Sequence, residues 1–315
     1  MSTVALPARR APDTQAVVLM VALCAIWGFQ QVAIKSANAS VPPVLQAGVR
    51  SAIAALLVWG WTRARGVPLF RADGTLAAGL LAGGLFAAEF VCIFVGLTMT
   101  SATRMAVFLY TAPCFTALGL HWFAPGERMR RTQWLGISVA FAGMALAFAD
   151  GFSHRGPAAD THAMLVGLAG DALGVLGGVA WAATTVVVRS STLAHVSASK
   201  ALFYQLAVSA VVLLALAAGI GQIGQLELRA ITPLAVMSLG YQAVVVAFVS
   251  YLTWFWLLTR YMASRLSVFS FLTPLFGVTF GVLLLGESFS SRFLAAALLV
   301  LAGIALVNAP AKRRV

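Results

Sequence analysis

Charge is what this sequence has least of. Of its 315 residues only 10% are charged and nine are acidic, where a soluble domain carries about 25% charged residues. A soluble chain of this length needs polar side chains to cover its surface, so the deficit excludes an ordinary soluble globule. Cysteine is scarce as well. Cys24, Cys92 and Cys114 all lie inside apolar runs, which fits small buried hydrophobes and excludes a disulfide framework or a thiolate metal site. His121, His154, His162 and His195 show no ligand spacing. No H-E-x-x-H, G-x-S-x-G or Walker loop occurs, and no Asp pair sits in facing apolar runs. Intramembrane hydrolysis and direct use of ATP therefore have no carrier, and no cofactor or metal is expected.

What the chain has in abundance is apolar length. Hydrophobic residues make up 61% of the sequence and the mean hydropathy is +0.94. About 20 apolar residues cross a bilayer. Ten such segments can be drawn, at roughly 16–37, 43–62, 75–98, 102–122, 132–150, 172–188, 198–219, 231–258, 264–285 and 292–309. The first is too long for the core of a signal peptide and carries Gln30 and Gln31, so it reads as a retained helix. No connection leaves room for a soluble domain.

The formal charge of +12 sits in the gaps between apolar runs, which assigns it to topology and not to nucleic acid. With the N-terminus inside, fifteen of the 21 basic residues fall on the inner side, five on the outer side, and Arg50 lies within a span. Both termini are expected in the cytoplasm, as tails over residues 1–15 and 310–315. Asp171, just ahead of the sixth segment, reads as a helix N-cap. Pro113 and Pro274 fall inside the fourth and ninth segments and predict a kink in each.

The chain repeats itself. WGFQQVAIKS (Trp27–Ser36) matches WAATTVVVRS (Trp181–Ser190), each with a mid-helix Trp and a basic residue, Lys35 or Arg189, at the helix exit. SATRMAVFLYTAP (Ser101–Pro113) matches MASRLSVFSFLTP (Met262–Pro274). The pairs Gly126-Glu127 and Gly286-Glu287, and Ala142-Gly143 and Ala302-Gly303, recur in the same register. The expected architecture is therefore an all-α membrane protein with ten transmembrane helices in two inverted five-helix repeats, over 16–150 and 165–309. Five is odd, so the second copy enters with opposite polarity, an arrangement used by secondary transporters with a site near the midplane.

These features together resemble the EamA family of the drug/metabolite transporter superfamily. The resemblance runs over about residues 16–309 and also rests on LQAGVRSAIAALL (Leu45–Leu57) and GDALGVLGGVAWA (Gly170–Ala182). It implies a multi-pass carrier of the cell inner membrane, monomeric or homodimeric, that exports amino acids, drugs or other small metabolites among the membrane lipids.

Polar residues converge on one depth. Glu89 lies nine residues from the outer end of the third segment and Arg50 seven or eight residues into the second, both about 11–13 Å deep at the helical rise. A buried carboxylate is rare unless it faces a partner or a cavity, so an Arg50–Glu89 pair is expected. Gln30, Gln31, Tyr110, Tyr241 and Gln242 reach the same layer, and Trp27 and Trp181 offer ring faces to a cation. By the offsets, Arg50 maps to Tyr204 and Glu89 to Val249, so the second copy lacks both charges. Its mirrored layer should hold Thr184, Thr185, Tyr204, Gln205, Ser250, Tyr251 and Phe271. The expected function is alternating-access secondary transport of a small molecule, with Glu89 the candidate for proton coupling or amine binding. An uncoupled uniporter or channel, a non-transporting scaffold, and a purely structural Arg50–Glu89 brace are the alternatives.

Overall fold

A chain this apolar has to satisfy its backbone polar groups internally, and helices do so one segment at a time. The computed structural model describes residues 9–38, 40–97, 99–100, 102–147, 161–285 and 291–309. Every regular element among them is helical, and one isolated bridge joins Arg10 to Tyr261. The elements are α1 (Thr14–Asn38), α2 (Pro43–Ala64), α3 (Leu76–Leu97), α4 (Ala102–Leu109), α5 (Ala112–Phe123), α6 (Arg131–Ala147), α7 (Thr161–Ser190), α8 (Ala198–Gly219), α9 (Pro233–Gly240), α10 (Tyr251–Arg260), α11 (Ala263–Leu266), α12 (Leu272–Leu285) and α13 (Ser291–Asn308). A π-helical stretch, Tyr241–Ser250, joins α9 to α10, so Pro233–Arg260 is one continuous rod. Among the described residues, six helices are long and apolar enough to cross a membrane, and two shorter apolar ones, Val107–Phe123 and Leu294–Asn308, accompany them.

Local sequence explains the breaks. Pro43 opens α2 behind Pro42, where a missing N–H does no harm. Pro113 stops α4 at Leu109 and restarts the chain as α5. Pro274 acts in the same way, with the 3₁₀ stretch Ser267–Phe271 between α11 and α12. Hydroxyls occupy carbonyls near both breaks: Thr111 donates to Phe108 O, Ser267 to Ala263 O and Ser270 to Ser267 O. That is how an interrupted helix is tolerated without water.

Two readings of the sequence need correction here. The sixth segment does not begin at 172. α7 starts at Thr161, eleven residues earlier, so Asp171 lies inside the helix and caps nothing. Its carboxylate accepts from the Thr100 hydroxyl at 2.7 Å and is satisfied sideways.

The packing joins early to late parts of the chain. α3 lies on α7 and α8, α2 on α8 and the π stretch, α1 on α12 and α9, α5 on α7, and α6 on α13. Small residues allow the closest approaches. A Cβ on Gly303 would meet Ala140 N and Gly136 O at 2.5 Å, and one on Gly28 would meet Phe276 Cβ at 2.7 Å and Gly277 N at 2.9 Å. Close backbone contact of this kind drives helix association where lipid removes the hydrophobic contrast.

Candidate functional site

The middle of the helices holds two charged side chains, Arg50 and Glu89, that are only partly satisfied, with the Tyr251 hydroxyl a hydrogen-bond partner of Arg50. Arg50 on α2 is 1% exposed, and its Nε and Nη2 bond to nothing among the described residues. Glu89 on α3 is 8% exposed and its Oε2 is likewise without a partner. The ion pair expected from their common depth is not formed. The Arg50 guanidinium lies instead over the Phe90 ring, 4.4 Å from its centroid, one residue along α3 from Glu89. The reason is rotational. Depth fixes the height of a residue on its helix, but each step turns the side chain by about 100°, and Phe90 occupies the azimuth that faces Arg50.

Aromatic rings wall this region. Phe86 is edge-on to Phe90 at 5.0 Å and to Tyr251 at 6.0 Å. Tyr251 in turn meets Trp27 at 6.3 Å, and Trp27 meets Trp254 at 6.0 Å. The Trp27 indole N–H donates to the Ser250 hydroxyl at 2.8 Å, and that hydroxyl donates to Val246 O at 2.6 Å. Trp27 is thus fixed by the end of the π stretch. On the other side Tyr110, at the break between α4 and α5, is edge-on to Trp181 of α7 at 5.7 Å. Edge-to-face pairs each add about 0.5–1.5 kcal/mol beyond their burial, so the wall is stiff.

The remaining expected residues are placed as follows. Gln30 is buried; the Gln31 and Lys35 side chains and all of Glu287 lie outside the described residues. Tyr241 is half-buried, meets the Phe29 ring at 5.2 Å and donates to Ile26 O at 2.9 Å, which turns its hydroxyl to α1. Gln242 is 1% exposed with its Nε2 unpartnered. In the second half, Thr184 and Thr185 donate to carbonyls of their own helix, Ala180 and Trp181. Gln205 donates to Ala201 O, and Phe271 is fully buried. Val249 points outward and is 48% exposed, so the Glu89 position of the second half carries no side chain into this region; Ser250 and Tyr251 do so instead.

A second polar assembly closes one end of the helices. Glu127, in the 3₁₀ turn Pro125–Glu127, is 3% exposed. Its Oε1 accepts from Arg189 Nε at 2.9 Å and also from Arg189 Nη2; its Oε2 accepts from the Ser264 N–H at 2.8 Å. Burial pushes the Glu127 carboxyl above its ordinary value, and the N–H groups of Ser264 and Ala263 and the charge of Arg9 limit the rise. Around it, Arg9 donates to Thr259 O and Ala194 O. Arg10 donates to the Tyr261 hydroxyl, which donates to Asp13. Lys200 pairs with Asp73 at 2.8 Å and donates to Arg71 O. The lysine and the Thr75 hydroxyl hold the Asp73 carboxyl at about 2, well below the usual range. Gln133 donates to Val307 O in the same zone.

Sequence reasoning passed over this assembly. Gly126-Glu127 and the basic exit Arg189 served only as marks of repetition, and their charges as topology. The available signal was that opposite charges recur at helix ends assigned to the same side. Of the aromatic wall, Phe86, Phe90 and Trp254 went unread, because they are indistinguishable from core residues in an apolar run.

Comparison with known proteins places the chain among carriers. The profile of the EamA-like transporter family matches residues 14–149 and 168–309. The uncharacterised transporter YvbV of Bacillus subtilis is 27% identical over 308 residues, covering 96% of this chain and 95% of the relative. A protein of Salmonella typhimurium named as a probable amino-acid metabolite efflux pump is 28% identical over 288 residues, covering 89% and 90%. A protein of the same name from Escherichia coli is 25% identical over 292 residues, covering 91% and 92%. One solved crystal structure superposes with a TM-score of 0.76 over 94% of this chain and 96% of that one, at 18% identity, and shares the fold.

Proposed function

We propose that this chain, which belongs to the EamA-like transporter family, is a secondary active transporter that exports a small zwitterionic metabolite by alternating access. It is a membrane transporter of small metabolites; the substrate class, the direction and the mechanism are the proposal. The inner membrane, with both termini cytoplasmic, is the location that the basic-residue bias supports.

One observation carries the substrate class. A guanidinium with two unsatisfied donors and a carboxylate with an unsatisfied oxygen lie buried on neighbouring helices, without bonding to each other. An unsatisfied buried polar group costs about 1–3 kcal/mol, more if charged. A ligand that brings a carboxylate to Arg50 and an ammonium to Glu89 satisfies both at once. The rings of Trp27, Phe86 and Tyr251 would then cover its apolar part and offer faces to the ammonium. An α-amino acid or a close metabolite has this chemistry. The names of the Salmonella and Escherichia relatives agree with it.

The ten-helix, two-repeat reading is supported by the paired breaks at Pro113 and Pro274 and by the gathering of segments near 9–13, 71–75, 127–133, 189–200, 259–264 and 307 at one end. Glu127 and Arg189 belong to different repeats in this reading, and their bond would hold the cytoplasmic end shut. The Glu89 oxygen without a partner also suits a proton carrier, so proton-coupled exchange at Glu89 is the favoured energy source.

Purified protein tested by thermal shift separates the readings, because a ligand of the folded state raises its stability. Zwitterionic amino acids should raise Tm where their decarboxylated amines and deaminated acids do not. Glu89→Gln should lose that response. Equal shifts from the amines alone would overturn the zwitterion reading. In proteoliposomes, flux unaffected by a pH gradient would overturn proton coupling and leave a uniporter.

A further inference from the structure

A groove on the outer surface of α2 and α8 remains unused by this transport cycle. Its lining is Ala52, Ala55, Leu56 and Trp59 from α2, Phe203 and Ala207 from α8, and Phe70 from the connection after α2. The α2 residues follow at steps of three and four, so they form one stripe about 10 Å long. Alanines make the floor. Leu56, Trp59 and Phe70 stand up as walls, each strongly exposed, and Phe70 closes one end edge-on to Phe203 at 5.8 Å. The volume is about 460 Å³ and the lining is wholly apolar.

The end of the groove beside Phe70 is basic. The Arg63 guanidinium lies 6.0 Å over the ring of Trp59, one of the walls, so it borders the groove. Arg71 directly follows Phe70 and is exposed, and Arg65 lies one half-turn beyond Arg63, over Trp61. The nearby acid, Asp73, is already taken by Lys200 and the Thr75 hydroxyl. Lys200 also holds the Arg71 carbonyl, which anchors the loop that carries Phe70 and Arg71. An apolar channel with free arginines at one end matches a molecule with a hydrocarbon chain and an anionic head.

We propose that this groove is a binding site for an anionic phospholipid, with one acyl chain along Ala52–Trp59 and the phosphate between Arg63 and Arg71. The basic mouth gives the site its preference for charge; the alanine floor gives it room for the chain. A surface arginine near an anionic headgroup contributes enough that two of them separate anionic from zwitterionic lipid by about thirtyfold in affinity.

Native mass spectrometry and thermal shift of the purified full chain in detergent test this with three probes. Phosphatidylglycerol, added to mixed micelles, should be retained and should raise Tm; phosphatidylcholine with the same acyl chains should do so about thirtyfold more weakly. Inorganic phosphate should have no effect. Arg63→Gln/Arg71→Gln should abolish the difference between the two lipids. Ala55→Phe, which fills the floor and leaves the arginines, should weaken retention of both. Equal retention of the two lipids by the parent protein, or an equal shift from inorganic phosphate, overturns the proposal without recourse to any variant. So does a lipid preference that survives the double arginine replacement.

Discussion

Removing Arg189 should damage this protein more than removing any exposed charge. The Glu127 carboxylate is buried, and Arg189 supplies both donors to its Oε1. In Arg189→Ala that oxygen keeps no partner among the described contacts, while Oε2 keeps the Ser264 N–H. Leaving one partner of a buried pair uncompensated costs about 3–5 kcal/mol. At this chain length that corresponds to a fall in Tm of roughly 5–10 °C. The measurement is thermal unfolding of purified protein by tryptophan fluorescence. Glu127→Gln should also fall, because an amide has a single acceptor oxygen: if it accepts from Arg189, its NH2 faces the Ser264 N–H. The double replacement Arg189→Met/Glu127→Gln should recover a good part of the single loss, since a buried pair replaced by apolar and neutral groups is often near neutral. If Arg189→Ala unfolds within about 1 °C of the parent, where each kcal/mol moves Tm by about 1.5–2 °C at this chain length, the bond is not a buried constraint. If the double variant is as unstable as the sum of the singles, the two residues are not coupled.

Three further outcomes follow from the same geometry. Asp73 has its carboxyl held at about 2, below its unfolded value, so its contribution is present above about pH 4 and should drain away as pH falls toward 2; Lys200→Met should flatten that limb of a Tm-against-pH curve. Gly303→Val should overpack the seam with α6, where even a Cβ would sit 2.5 Å from Ala140 N, costing about 1–3 kcal/mol or more and lowering Tm while Ala302→Val costs less. Trp27→Phe keeps an aromatic ring but loses the bond to Ser250 and part of the buried indole, so it should cost about 1 kcal/mol for the bond plus the lost packing, and Ser250→Ala on that background should add little in a double-mutant cycle.

The parts of the fold that one dimension encodes were legible. Apolar length located the first three segments to within a few residues, as 16–37 against Thr14–Asn38 illustrates. Proline located both broken helices. What failed was a boundary placed at a charge: α7 begins eleven residues before 172, its first turns are themselves apolar, and Asp171 sits inside the helix with its carboxylate accepting from Thr100. At the site, depth along a helix was legible and azimuth was not. Arg50 and Glu89 share a level and yet do not bond, because Phe90 takes the facing position. The π stretch left no mark either, since YQAVVVAFVS is as compatible with an α-helix as with the wider turn it adopts.

The way α2, α3 and α6 find their neighbours has a consequence for biogenesis. α2 and α3 lie against α8, α3 also against α7, and α6 against α13, all made later. When the ribosome has delivered the first 150 residues, these helices are inserted but their packing faces still meet lipid. Half a chain is therefore an incomplete object, and the Gly136 and Gly303 surfaces remain apart until the last helix is synthesised. A gene cut between 148 and 160 should give two fragments that are each degraded alone and survive when co-expressed, with the final helix acting as the clasp that ends assembly.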